Sequence, residues 1–174
     1  LLLAVAPEKV VGFSSFDFSR QTAIPFHDDI RSLPKLGRLA GRASTLSLEA
    51  LLALKPDLVI DCGNADETWL SQARQVSAQT HIPWLLINGE LRHTPEQLRA
   101  AGEALGVVSR TAMQAALARR FIDNAIAFSH TAAANLRFYA ARGARGLETG
   151  LQGSLHTEAA ELLGLQNVAH IPGR

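Results

Sequence analysis

The sequence predicts an α/β protein: a parallel-sheet N-terminal lobe, a long inter-lobe helix and an incomplete α/β C-terminal lobe. Three observations carry that prediction. DLVID (57–61) and WLLIN (84–88) are short, continuous apolar runs separated by a helical segment, the pattern of parallel strands covered on both faces. From Thr94 the periodicity turns helical and holds to about residue 132, far beyond the mean helix of about 12 residues. After it come only LRFYAAR (136–142), a helical TEAAELLG and NVA (167–169), too little to close a second sheet. Residues 1–93 are therefore expected to form the first lobe. Residues 94–133 are the linking helix, and 134–174 the beginning of a second lobe.

The elements follow in order. LLLAVA lacks the basic start and small-residue cleavage site of a secretory signal and reads as the end of a helix turning at Pro7. VVGFSS (10–15) is a short strand, followed by a loop region punctuated by Pro25, Pro34, Gly37 and Gly41. Ser44 or Ser47 caps a helix over about 46–54, with Leu48, Leu51, Leu52 and Leu54 on its buried side. Pro56 ends it, because the residue before a proline is pushed away from helical geometry. CGNA is a turn, and Asp66 or Thr68 starts a helix carrying Trp69, Leu70, Ala73 and Val76. Pro83 introduces the next strand. Thr94, Pro95 and Glu96 make a strong helix start, with Gly102 and Gly106 as weak points in the long helix. ARGLETGLQGS is a glycine-punctuated loop, Gly164 a C-cap, and NVA the start of a further strand.

Bulk composition narrows the function. The chain has 174 residues, 47% hydrophobic and 19% charged, with a net charge of +1. This is a globular composition without the basic excess that nucleic-acid binding would leave. No apolar run approaches the ~20 residues of a membrane span. The single cysteine, Cys62, rules out an internal disulfide framework and a cysteine zinc site. The six histidines show no metal-ligand spacing, the sole tyrosine, Tyr139, reads as core, and no metal or other cofactor is implied. There is no nucleophile elbow, P-loop or dinucleotide fingerprint. Cys62 reads as a structural thiol, and the chain is not expected to be an enzyme.

Assembled in order, APEKVVGFSS, LGRLAGRASTLSLEALLALKPDLVIDCG, the TPEQL-initiated helix and YAARGARGLETGLQGSLHTEAAELLGLQNVA resemble the substrate-binding proteins of bacterial ABC importers for iron–siderophore complexes, haem and cobalamin. These have two α/β lobes joined by one long helix, and the resemblance implies that the first lobe, residues 1–93, has its first strand missing. The resemblance implies a periplasmic transport protein that captures a metal chelate, of ferric siderophore or corrinoid type, between its lobes and delivers it to a membrane permease. An oxyanion such as molybdate or tungstate is the alternative ligand. An α/β metal-cluster enzyme subunit of similar fold is the alternative of another class, opposed by the single cysteine. Haem is disfavoured, because the tyrosine ligand of many haem-binding relatives has no clear counterpart.

Ligands of open parallel sheets sit beyond the carboxyl ends of the strands, which singles out Ser15, Phe16 and Asp17 after the first strand and Asn64 after the next. Phe16 offers a flat face of the kind cobalamin-binding relatives use at this place. The resemblance puts Arg38 at the cleft edge, where its planar fork suits carboxylates and oxyanions, and turns Glu148 and Thr149 of GLETGLQGS (146–154) toward the cleft. The glycines of that loop, ahead of a helix start near Ser154, predict free N–H groups for an anion or polar ligand. Glu49 is needed neither to start nor to stop its helix. The resemblance makes it a permease-docking residue, exposed and without intramolecular partners. A half-built second lobe leaves a sheet edge and apolar surface uncovered, so 135–174 is expected to pair with another copy or to be disordered.

Overall fold

Two strand–helix–strand units with parallel pairing organise this chain. In the first, β1 (Val59–Gly63) pairs in parallel with β2 (Trp84–Asn88), Asp61 opposite Leu86 and Gly63 opposite Asn88. In the second, β3 (Arg137–Phe138) pairs in parallel with β4 (Gln166–Asn167). The computed structural model describes residues 1–14, 28–38, 45–63, 65–131 and 135–170. By its internal contacts the chain divides into Leu1–Asn88 and Gly89–Arg174. The fold is α/β, built on parallel strands.

In the first unit, local chemistry sets the element ends. Helix α1 (Leu2–Val5) stops ahead of a 3-10 turn that Pro7 opens. Helix α2 (Asp28–Ser32) is one turn long. Helix α3 (Leu48–Leu54) starts where the Ser47 hydroxyl accepts the Ala50 N–H at 3.2 Å and stops where Lys55 turns left-handed ahead of Pro56. Leu51 is its buried residue; Leu52, expected inside, is 46% exposed. Helix α4 (Glu67–Thr80) begins on Asp66, whose carboxylate accepts the N–H groups of Thr68 and Trp69 at 3.0 and 3.1 Å, and ends on a left-handed His81.

Two expectations for this unit change. The segment from Val10 forms no extended ladder: it contributes one parallel bridge, Phe13 to Lys35. Strand β1 is half-buried along its length, with Cys62 exposed, rather than covered on both faces. An apolar run records that a strand can be covered; covering it takes further elements. Helix α4 packs against β2, and a hollow of about 440 Å3 between them, lined by Leu70, Ser77 and Trp84 among others, stays open.

The expected linking helix is two helices. Helix α5 (Thr94–Leu105) ends on Gly106, left-handed at φ 67°, and α6 (Val108–Ser129) follows after Val107. The two pack side by side through Leu98, Ala101, Thr111 and Ala115, all buried, and an Arg119–Glu96 ion pair spans them on the outside. Glycine permits the left-handed turn, and the bare surface of Gly102 lets α6 come close. With 22 residues, α6 runs about 33 Å. The restart shifts the helical phase, and Met113, Leu117, Phe121, Ile126 and Phe128 of α6 are exposed. Thr94 does not cap α5; it is the first helical residue, and its hydroxyl donates to Leu91 O of a preceding 3-10 turn, Leu91–His93.

After α6, β3 keeps two residues of the expected strand, and Tyr139, just beyond it, is 47% exposed rather than core. Helix α7 (Glu158–Leu162) is one turn and a half, closed by Gly164 at φ 83° with Leu165 N–H returning to Ala160 O. The segment 135–170 is therefore ordered into a parallel β3–α7–β4 motif. Leu136, Leu147, Leu151, Leu155 and Val168 remain exposed on it.

Candidate functional site

In the first unit, the candidate residues lie at two places, the carboxyl end of β1 and a pinned loop neck. Phe13 N–H donates to Pro34 O, Leu36 N–H to Phe13 O and Gly37 N–H to Ser14 O, at 2.9, 2.7 and 2.5 Å. Residues 13–14 and 34–37 therefore run side by side, and Ser14 sits against Gly37 and next to Arg38. Gly37, at φ 101°, lies so close to Thr45 that a Cβ there would overlap its carbonyl. Thr45 closes the neck from the other side: its hydroxyl accepts Arg38 N–H, and its N–H, with that of Leu46, donates to Arg38 O. Arg38 is exposed on this neck. Ser15, Phe16, Asp17 and Asn64 lie outside the described residues.

Gly63 and Asn88 end the strand pair on one level, the end where open parallel sheets take ligands. The hollow beside α4 does not belong to it. Trp84 is the first residue of β2, so the hollow reaches toward the opposite, amino end.

Asp61 is a residue that the sequence reading passed over. It lies one position before Cys62 and two before the strand end, and its partner Leu86 puts it on the α4 side of the sheet. Burial holds its carboxyl above the ordinary carboxylate range, and no hydrogen bond or ion pair reaches it among the described residues. The available signal was a carboxylate inside an otherwise apolar strand run. The Cys62 thiol is exposed, and desolvation, with Asp61 beside it, pushes its pKa up. A raised pKa disfavours the thiolate, so Cys62 is no activated nucleophile.

In the second unit, Glu148 and Thr149 follow a tight reversal. Arg142 and Glu148 exchange both backbone hydrogen bonds, at 2.7 and 3.3 Å, with Gly143 and Gly146 at φ 71° and 67°. Glu148 is exposed, its carboxylate lying against Gly143 with no partner among the described residues. Thr149 is half-buried and donates to Gly150 O at 3.3 Å.

The expected anion cradle of 146–154 is occupied in part by the chain itself. Gly153 N–H donates to Glu161 Oε2 at 2.9 Å, Gln152 N–H to Ala169 O and Ser154 N–H to Leu151 O. Asn167 donates to Gly150 O and to Glu161 Oε1. The helix that follows is short, and its first turn carries Glu158 and Glu161, which repel an anion. Of the three glycines, Gly153 gives its N–H to Glu161 and Gly146 gives its N–H to the nearby Gly143 O.

Glu49 stands in the first turn of α3, exposed, and no ion pair or hydrogen bond reaches its carboxylate among the described residues. No three His, Cys, Asp or Glu side chains come together among the described residues. No helix among them is long and apolar enough to cross a membrane.

No protein-family model matches the chain, and no curated protein matches it significantly. Solved structures do. An ABC transporter solute-binding protein from Sulfurospirillum deleyianum matches 98% of this chain and 54% of its own length, with TM-score 0.83 and 24% identity. The periplasmic vitamin B12-binding protein of Vibrio cholerae matches 98% of this chain and 62% of its own, with TM-score 0.72 and 18% identity. A periplasmic heme-binding protein from Roseiflexus matches 95% and 60%, with TM-score 0.65 and 23% identity. The chain has the fold of the periplasmic solute-binding proteins. It spans somewhat over half the length of these solute-binding neighbours.

Within the solute-binding fold, the structure brings Ser14 and Arg38 together in the first unit and sets Glu148 beside Thr149 in the second. Glu49 stands in the first turn of α3, which follows directly on the neck residues Thr45 and Leu46.

Proposed function

We propose that the chain is part of the substrate-binding component of an ABC importer, working in the periplasm. Its ligand is a metal chelate of ferric siderophore or corrinoid type, captured between two lobes and handed to a membrane permease. The observation that carries this reading is the likeness over 98% of the chain to solute-binding proteins, one of them described as binding vitamin B12.

The contacts follow from position. Ser15, Phe16 and Asp17 continue from Ser14, Asn64 continues from Gly63, and Arg38 stands exposed on the pinned neck. Glu148 and Thr149 supply the second lobe's side. Binding comes from burying a large ligand between preformed faces, with no covalent chemistry. Glu49, exposed on the first turn of α3, is the permease-docking carboxylate. A second copy of the chain pairs through 135–174, where Leu136, Tyr139 and Val168 are exposed beside a two-stranded parallel sheet.

The oxyanion alternative loses some support, because Gln152, Gly153 and Ser154 give their N–H groups to the chain's own acceptors. Haem gains as a second reading. Tyr139 is exposed just past the carboxyl end of β3, which leaves its phenol accessible to a ferric ion, and a neighbour of the same fold is described as binding heme.

Thermal-shift assays and native mass spectrometry with ferrichrome, aquocobalamin, hemin and molybdate test the reading. A chelate is expected to raise the melting temperature and give a 1:1 complex. Stabilisation by molybdate alone would transfer the reading to the oxyanion alternative, and no stabilisation by any of the four would overturn it.

A further inference from the structure

The turn through which the chain passes into its second unit is tied at every polar backbone position that a hydrogen bond here describes. Glu90 O accepts from the Gln97 side-chain amide at 2.6 Å and from His93 N–H at 3.0 Å. Leu91 O accepts from the Thr94 hydroxyl at 2.6 Å. These partners are all local. The Leu91 N–H is different: at the start of a 3-10 turn it has no partner within its own helix, and it donates to Glu158 Oε2 of α7 at 2.8 Å, across 67 positions of sequence. A carboxylate acceptor makes this a charge-assisted hydrogen bond, and Glu158 is itself half-buried. Gln97, which holds the other side of the turn, is 8% exposed.

We propose that Glu158 is a clasp that locks the turn 90–93 onto α7. The clasp lies wholly within the second unit, at its first residues. It makes the turn a rigid root for α5, so bending where the chain passes from one unit to the other falls before Leu91. That consequence for ligand capture rests on the binding-protein reading above; the clasp itself does not.

Hydrogen exchange on the full chain, with wild type, Glu158→Gln and Glu158→Ala, tests it without any ligand. In Glu158→Ala, peptides covering 90–93 are expected to exchange about tenfold faster or more, the loss of one hydrogen bond to a charged group. Peptides of α6 are expected to be unchanged. Glu158→Gln keeps an acceptor oxygen without the charge and is expected to fall between the two. Trypsin cleavage after Arg92, exposed in the same turn, is expected to accelerate in the same order. Unchanged exchange at 90–93 in Glu158→Ala would overturn the clasp. So would faster exchange spread equally over α5 and α6, because Glu158 would then be a general stabiliser. A chain that shows the local effect and binds no chelate keeps the clasp and loses the transport reading.

Discussion

Thr111 fills the space that a Cβ on Gly102 would need. A methyl group there would overlap the Thr111 hydroxyl and both of its carbons, and Thr111 is 1% exposed, with its hydroxyl donating back to Val108 O at 3.0 Å. An alanine in place of a helical glycine ordinarily stabilises by about 1 kcal/mol. Here that gain is outweighed, because α6 must retreat or Thr111 must leave its rotamer. Gly102→Ala is expected to destabilise by about 1–3 kcal/mol, read by urea denaturation followed by circular dichroism. Pairing it with Thr111→Ser, which removes one methyl, is expected to recover part of the loss. A neutral or stabilised Gly102→Ala would show that α5 and α6 pack more loosely.

Asp61 makes stability depend on pH in the direction opposite to a salt-bridged carboxylate. Its folded pKa lies above the ordinary aspartate value because burial disfavours the charged form. Between the unfolded and the folded pKa the native state holds more protons than the unfolded state, so stability falls as pH rises through that window. Above it the full desolvation penalty is present; below the unfolded pKa it is absent. Asp61→Asn is expected to raise the melting temperature at neutral pH and to leave it nearly unchanged in acid below that window. Equal shifts at both pH values would attribute the effect to packing instead of charge.

Much of the fold was legible because its signals are local. Ser47, Pro56, Asp66 and Pro83 act within a few residues of themselves, and the ends of α3, α4 and β2 fall where they place them. The break at Gly106 was visible only as a weak point, since whether a glycine bends or continues a helix depends on what packs beside it. Here Thr111 on Gly102 and Ala115 in the α5–α6 seam reward the turn. The half-buried state of β1 could not be read at all, because an apolar run is the same whether or not something covers it. The partners of the 146–154 loop were hidden for a related reason. Its glycines were plain, but the acceptors that use its amides, Glu161 and the Ala169 carbonyl, are set by tertiary structure. Asp61 was in view yet passed over, its burial depending on the sheet around it.

The uncovered surface of the β3–α7–β4 motif predicts association. Strands β3 and β4 form a sheet of only two strands among the described residues, and Leu136 is 65% exposed at its margin. A bare parallel edge with apolar flanks pairs readily with another chain. Sedimentation velocity is expected to show a dimer that Leu136→Lys with Val168→Lys converts to monomer, with circular dichroism unchanged. A wild-type chain that stays monomeric at the highest soluble concentration would remove the second copy from the proposed partners.

Glu49 separates docking from folding. Its helix has a side-chain cap in Ser47 and a stop in Lys55 and Pro56, so the carboxylate adds only the favourable interaction of a first-turn anion with the helix dipole. That is about 0.3–1 kcal/mol for an exposed site. Glu49→Gln is therefore expected to shift the melting temperature by little, and to leave chelate binding unchanged, since Glu49 is not among the residues assigned to the ligand. Against the reconstituted permease, the same substitution is expected to lower the stimulated ATPase rate, and a charge reversal, Glu49→Lys, to lower it further. Restoring the rate by reversing an arginine on the permease would identify a direct ion pair. Full stimulation by Glu49→Lys would mean that this carboxylate, though exposed and unpartnered among the described residues, takes no part in docking.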